Sequence, residues 1–359
     1  MTSLFDPIAL GAIDAPNRIM MAPLTRGRAT RAHVPTPLMG EYYSQRASAG
    51  LIISEATGIS QQGLGWPNAP GLWSQEQMTA WKPIVRAVHD AGGRIVAQLW
   101  HMGRLVHPDY LGGAQPVSAS ATTAPGHAHT YEGTQPYAKS RALEPGEIRQ
   151  IIGDYRRATE HAMGAGFDGV QLHAANGYLI DQFLRDGTNR RVDDYGGSVE
   201  NRIRLLIEVT QALISVAGAD RTAVRLSPND DPQGCGDSAS QTLFAKAAEA
   251  LDGLQIAFLE MRASRPDSTF RPATRQLVPL IRRAFKGALI LNSDYSFDDA
   301  SQALRLGEAD AIAFGRPFLA NPDLPSRFAN RAALNAPDAK AFYTPGPAGY
   351  TDYPALKAN

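Results

Sequence analysis

The stretch Pro145–Tyr178 reads PGEIRQIIGDYRRATEHAMGAGFDGVQLHAANGY. Residues 145–165 carry a helical pattern and end in Ala165-Gly166, a pair suited to a helix C-cap because glycine accepts the left-handed backbone needed there. Phe167–His173 (FDGVQLH) is then a run of strand length. Beyond it His173, Asn176 and Tyr178 fall where the strand gives way to a loop. Runs of the same kind stand at Arg18–Leu24, Gly50–Thr57 and Arg94–Trp100 before this unit, and at Thr222–Ser227, Gln255–Met261, Ala288–Asn292 and Ala309–Phe314 after it. Several are apolar throughout, as parallel strands covered on both faces are.

Helical segments alternate with these runs, among them residues 36–48, 75–91, 198–216, 239–252 and 297–306, and Ala91-Gly92-Gly93 offers a further cap. Eight such units in series predict an α/β chain closed into a (β/α)8 TIM barrel, one domain over residues 1–359. The rival is an open doubly wound sheet. The count of eight, and the lack of a glycine-rich dinucleotide fingerprint after the first strand, argue against it. Residues 3–16 read as an N-terminal hairpin with a Gly turn at the barrel bottom. Residues 103–143 form an excursion after strand three too long for a plain loop, as functional lids are. The tail after Ala336, rich in Pro, Gly and Tyr, reads as ordered loop.

Composition narrows the function. Lys+Arg and Asp+Glu are both 35, so the formal net charge is zero. Nothing there suggests nucleic acid or an anionic membrane as partner. The one cysteine, Cys235, cannot form an internal disulfide, nor by itself hold zinc or an iron–sulfur cluster. Met1–Pro16 lacks a basic n-region and carries Asp6 and Asp14, unlike a signal peptide. No apolar run approaches the ~20 residues of a membrane helix. A cytoplasmic protein, monomeric or homodimeric, is the expectation.

In such barrels the chemistry sits at the C-terminal strand ends. Here these are Ala22-Pro23-Leu24-Thr25-Arg26, Glu55-Ala56-Thr57, Gln98-Leu99-Trp100-His101, His173 to Tyr178, Arg225-Leu226-Ser227-Pro228, Asn292-Ser293-Asp294-Tyr295 and Phe314-Gly315-Arg316-Pro317. Lys82, Lys139, Lys246, Lys286, Lys340 and Lys357 all miss them, which disfavours a Schiff-base aldolase. Carboxylates are sparse and strand one lacks His-x-His, which disfavours a metallohydrolase, so no metal is expected. What remains suits a polar, planar, phosphate-bearing cofactor. Arg316 can pair with a phosphate bidentately, and Gly315 lets backbone N–H groups approach it, although Phe-Gly-Arg also describes a surface arginine after a buried strand. His173 and Asn176 can donate to one oxygen, with the Tyr178 phenol nearby. An isolated His-x-x-Asn is more often a core histidine with a capping asparagine; the strand-end position favours the site.

Taken together, Asn17-Arg18-Ile19 through Ala22-Pro23-Leu24-Thr25-Arg26, Ser54-Glu55-Ala56-Thr57, His173-Ala174-Ala175-Asn176-Gly177-Tyr178-Leu179, Asp194-Tyr195-Gly196-Gly197-Ser198 with Asn201-Arg202, Ala313-Phe314-Gly315-Arg316-Pro317 with Asn321-Pro322-Asp323-Leu324, and Gly349-Tyr350-Thr351-Asp352-Tyr353-Pro354 resemble the Old Yellow Enzyme family in collinear order over nearly the whole chain. The similarity is nearest to its N-ethylmaleimide and cyclohexenone reductase branch. It implies bound FMN, with NADPH or NADH as hydride donor, and reduction of small electrophilic alkenes such as α,β-unsaturated carbonyls, maleimides and nitroalkenes. It also implies roles for residues. Pro23 and Thr25 border the flavin, Thr25 at its C4 carbonyl; Ala56 meets the ring through its backbone; Gln98 and Arg225 bind the pyrimidine edge. Ser293, Gly315 and Arg316 hold the phosphate. His173 and Asn176 grip the substrate oxygen, and Tyr178 protonates the α-carbon. Trp66, Trp100 and Tyr343 shape the pocket, although core packing is the plainer reading of each ring. Many relatives carry glycine where this chain has Asn292-Ser293-Asp294, so Asp294 is expected to point away from a phosphate. With one cysteine and an end soon after the barrel, the chain is unlike the multidomain iron–sulfur relatives. Two other readings stay open: a flavin dehydrogenase working in the oxidative direction, and a flavin-binding sensor without turnover.

Overall fold

The helix over Pro145–Ala165 forms with the expected ends. Pro145 sits in its first turn, and Glu144 and Glu147 bond each other's backbone N–H in a capping box. At the other end Gly166 takes φ 95° and returns its N–H to Ala162 and Met163. The computed structural model from which these bonds are read describes residues 2–228, 232–262 and 277–356; Met1 and Lys357 lie outside them.

The barrel strands are β1 (Ile19–Met21), β2 (Ile52–Ile53), β3 (Ile95–Trp100), β4 (Gly169–Ala174), β5 (Thr222–Leu226), β6 (Phe258–Arg262), β7 (Ala288–Asn292) and β8 (Ala311–Phe314). Each is parallel to the next. The ring closes where β8 meets β1 in the register Ile312↔Ile19, Ala313↔Met20 and Phe314↔Met21. This is the (β/α)8 barrel the sequence predicts, and the open sheet is excluded.

Strand alternation divides the apolar residues into two bodies. One set, including Ile19, Met21, Ile52, Val170 and Leu172, faces outward and packs on Trp81, Ile84, Tyr155 and Leu206 of the helices. The other fills the barrel: Met20, Leu51, Ile53, Val96, Ala223, Phe258, Ile290 and Ala311. Leu10, Ile13 and Ala15 complete that inner column from below. They belong to the antiparallel hairpin of Ile8–Leu10 and Ile13–Ala15. Gly11 turns it at φ 61°, and a Cβ there would lie 2.1 Å from the Asp220 carbonyl oxygen. Each fully buried Ile, Leu or Phe contributes about 1.5–3 kcal/mol. Two residues further along each strand the filling changes to polar: Val96 gives way to Gln98, Ala223 to Arg225, Phe258 to Glu260 and Ile290 to Asn292, all buried.

Strand two departs from expectation. Instead of one run over 50–57, the ladder stops after Ile53 and resumes as Thr57–Gly58 against Leu99–Trp100. Between them side chains replace ladder bonds. Ser54 Oγ accepts the Gln98 N–H, and the Tyr43 hydroxyl accepts the Glu55 N–H. The helix expected over 198–216 is two, Val199–Arg202 and Arg204–Ala217, broken at Ile203. The 103–143 excursion carries a β-ribbon, His127–Thr130 with Gly133–Pro136, and a short pairing of Val117–Ser118 with Arg141–Ala142. Over its described residues, 337–356, the tail is loop apart from the 3-10 turn Ala339–Ala341.

Candidate active site

A cavity of about 420 Å³ opens at the C-terminal strand ends. Its wall includes Pro23, Thr25, Trp66, Trp100, Asn176, Tyr178, Arg225, Ser293, Gly315, Arg316 and Tyr343, all singled out from the sequence. Ala56, Gln98 and His173 are buried and do not form its wall.

The loop after β4 shows how sequence sets geometry. Asn176 takes φ 60° and Gly177 φ 79°. Asparagine enters the left-handed region more readily than most side chains, so the pair supplies a sharp turn at modest cost. Ser227 Oγ accepts the Asn176 N–H at 2.6 Å, and the Asp181 carboxylate accepts that of Gly177 at 2.8 Å. Asp181 is held in turn by Arg185 in a fully buried ion pair. The turn delivers Tyr178 edge-on against His173 and Trp100, with ring centroids 4.9 Å apart in both pairs.

Electrostatics then fix protonation. Burial, with Arg225 and Arg262 adding to it, holds His173 well below the ordinary imidazole range, so the ring is neutral near pH 7. Burial raises the Tyr178 phenol, with Tyr137 and Tyr343 in support, so it keeps its proton. His173 Nδ1 and Trp100 Nε1 are buried with no hydrogen-bond partner among the described residues. Native proteins seldom leave such atoms unmatched, and here they lie beside the cavity-lining Tyr178.

Loop one is tied down from two sides. The Glu55 carboxylate accepts the N–H groups of Arg26 and Gly27, both at 3.1 Å, next to Thr25. Arg26 donates to the carbonyls of Phe342 and Gly349. Arg28 reaches those of Ala341, Phe342 and Ala348, and Arg46 that of Tyr350. The C-terminal segment is thereby strapped across the barrel mouth, and Tyr343 packs on Trp66 at 5.3 Å. Trp66 also meets His129 of the excursion's ribbon at 4.6 Å.

Two findings correct or extend the sequence reading. Asp294 does not turn away: it lines the cavity and its carboxylate pairs with Arg316. With Arg262 and Arg316 both nearby, the cations draw it in. Ser293 and Asp294 take φ 133° and 49°, a backbone that favours glycine, especially at Ser293. Strand six, read from the sequence as Gln255–Met261, also supplies site residues that the strand-end reading does not include. Its Arg262 lines the cavity and donates through Nη1 to Asn176 Oδ1 at 2.9 Å. Its Glu260 is buried 3.1 Å from Arg225 Nε. Two charged residues at alternate positions of an apolar strand, Phe258-Leu259-Glu260-Met261-Arg262, were the available signal. Among the described residues no group of three His, Cys, Asp or Glu could hold a metal ion.

A closed parallel barrel whose strand ends gather cations, a neutral histidine and a protonated tyrosine around one cavity has the frame of a cofactor-dependent oxidoreductase. Residues 3–335 match the model of the NADH:flavin oxidoreductase / NADH oxidase family, and the chain belongs to that family. Among solved structures it resembles an Old Yellow Enzyme homologue from Zymomonas mobilis, 60% identical, with TM-score 0.97 over 99% of this chain and 100% of the other. It also resembles morphinone reductase in complex with tetrahydroNAD, 45% identical, with TM-score 0.94 over 99% and 98% of the two chains. A putative 12-oxophytodienoate reductase 5 of Oryza sativa subsp. japonica is 44% identical over 96% of this chain and 92% of its own. The Old Yellow Enzyme resemblance read from the motifs is thus borne out, and with it a flavin-dependent oxidoreductase. No helix among the described residues is long and apolar enough to cross a membrane.

Proposed function

We propose that the chain is an FMN-dependent, NADPH-preferring ene-reductase acting on α,β-unsaturated carbonyls, maleimides and nitroalkenes. The observation that carries this reading is Tyr178, a half-buried, protonated phenol packed on a neutral His173 at the cavity wall. Binding a flavin alone does not call for a positioned acid.

The residues fit FMN. The buried orphan nitrogens, the Arg225 guanidinium in the wall and Arg316 at the far strands match a polar planar ring that ends in a phosphate. Thr25, Gln98 and Arg225 would hold the ring, with the Ala56 backbone against it, and Ser293, Gly315 and Arg316 the phosphate, which replaces Asp294 as the partner of Arg316. Bound FMN supplies hydride transfer from NAD(P)H to the β-carbon of the alkene. The protein supplies the rest. His173 and Asn176 donate to the carbonyl or nitro oxygen, where negative charge grows, as an oxyanion clamp does. Arg262 already occupies Asn176 Oδ1, which turns the amide N–H₂ toward a ligand. Tyr178 delivers its proton to the α-carbon, and Trp66, Trp100 and Tyr343 enclose the substrate. Donor and acceptor use one cavity in turn, so the kinetics are ping-pong.

The test is anaerobic. Purified protein releases FMN, not FAD, on heating; NADPH bleaches the bound flavin; cyclohexenone restores the colour with one equivalent of saturated ketone formed. Bleaching without reoxidation by any enone, maleimide or nitroalkene would indicate a sensor. Flavin reduced by a saturated substrate but not by NAD(P)H would indicate a dehydrogenase.

A further inference from the structure

The polar layer above the inner column is one continuous chain of contacts. Gln98 Nε2 donates to Gln171 Oε1 at 2.7 Å, and Gln171 Nε2 donates to Glu260 Oε2 at 2.9 Å. Glu260 Oε1 lies 3.1 Å from Arg225 Nε, a charge contact without the alignment of a hydrogen bond. Arg225 Nη2 donates to Asn292 Oδ1 at 2.8 Å, and Asn292 Nδ2 to the Ala313 carbonyl at 2.7 Å. Strand register builds this layer, since Gln171 stands opposite Gln98 and Arg225 opposite Glu260. Barrels commonly fill such layers with Val, Ile and Leu. A buried ion pair gives little net stability over an apolar replacement, so packing does not account for this one.

We propose that Glu260 is a positioning residue that fixes the orientation of the Gln98 amide and, through Arg225, lowers the reduction potential of the bound flavin. The inference rests on the placement of Gln98 and Arg225 at the pyrimidine edge given above. The two ends of an amide are nearly identical in shape, so a charge must choose between them. A carboxylate only accepts. Gln171 therefore turns its N–H₂ to Glu260 and its oxygen to Gln98, and Gln98 spends an N–H on Gln171. That leaves Gln98 Oε1 as the acceptor at the end of the chain, the partner an imide N–H requires. The charge has a second effect. Arg225 faces the cavity and favours the added negative charge of reduced flavin; Glu260 behind it offsets part of that field.

The test compares holoenzyme variants by potentiometric titration and FMN binding. In Glu260→Gln the amide chain loses its sense and Arg225 its countercharge. Reduced FMN should then tighten relative to oxidised FMN by about tenfold, a rise of about 30 mV for a two-electron couple. Glu260→Asp keeps the charge and should stay within about threefold of wild type on the same scale. Gln171→Met leaves the Glu260–Arg225 pair intact but cuts the relay, so oxidised FMN should bind about tenfold more weakly, the loss of one ordinary hydrogen bond. Arg225→Met is the control and should lower the potential. An unchanged potential in Glu260→Gln with a lowered one in Arg225→Met overturns the role given to Glu260. No change in either shows that Arg225 does not face the pyrimidine edge, and overturns the placement itself. If Glu260→Gln yields no holoenzyme, wild-type FMN affinity in Gln171→Met overturns the orientation argument.

Discussion

At Tyr178 the two half-reactions can be separated. Reduction of the flavin by NADPH needs no proton from this phenol, so Tyr178→Phe should leave that step within a few-fold of wild type. Under the proposed mechanism alkene reduction takes its proton from Tyr178, and loss of a general acid typically costs about 10²–10⁴ in rate, roughly 3–5 kcal/mol. The deficit should be larger with cyclohexenone than with nitroalkenes, whose nitronate product is stable without immediate protonation. Stopped-flow measurement of each step checks this; equal slowing of both would make Tyr178 a packing residue. His173, Asn176 and Tyr178 were legible in the sequence because they are near neighbours on one strand end. Glu260 and Arg262 stand out only as alternating charges on an apolar strand; what they face was not legible, because a residue's partner across a barrel is set by register, and register is not written in either strand alone.

Among the elements, the loop after β7 is the one whose backbone conflicts with its residues. Ser293 at φ 133° sits where glycine is favoured, and such strain costs on the order of 1–3 kcal/mol. Ser293→Gly should therefore hold or raise stability by up to about 1 kcal/mol, after allowing for the greater unfolded-state freedom of glycine. Chemical denaturation of wild type and variant checks it; a loss of about 1 kcal/mol or more would show that the Ser293 side chain is needed. Helix positions were the most legible feature, as over Pro145–Ala165, where pattern, proline and glycine agree. Strand two was least so: GLIISEAT has the composition of one continuous strand, but the side chains of Ser54 and Tyr43 take over its ladder bonds. Such substitutions depend on distant partners.

For the molecule as a whole, acid should be destabilising, and His101 gives a definite part of it. Burial depresses its pKa to about 3, while its unfolded value is ~6.5. Between these values the unfolded chain binds the extra proton, so stability falls as pH drops below about 6.5 and is fully present above it. At pH 5 this one residue accounts for about 2 kcal/mol. His101→Asn keeps an acceptor for the Gly103 N–H, which the ring now receives at 3.0 Å, and should flatten the acid limb. Urea unfolding at pH 5 and pH 7 measures the difference; parallel limbs in wild type and variant would refute it. At this scale the barrel was legible from eight alternating units, while its polar inner layer emerged only on closure.

The strap across the mouth has an implication of its own. Arg26, Arg28 and Arg46 grip it by main-chain carbonyls, an address every amino acid carries. Apart from Tyr350, whose buried ring stacks on Tyr42, this anchorage does not depend on which side chain is displayed, and Tyr343 is 54% exposed. Tyr343→Ala should change thermal midpoint by no more than the equivalent of about 0.5 kcal/mol, as exposed positions do, while reordering preference among bulky and small enones. Thermal melts beside a substrate panel would show it, and a melt lowered by several degrees would refute it. Under the proposed function, a wall clipped on in this way would behave as an exchangeable faceplate: substrate choice would drift by single substitutions along it while the machinery beneath stays untouched.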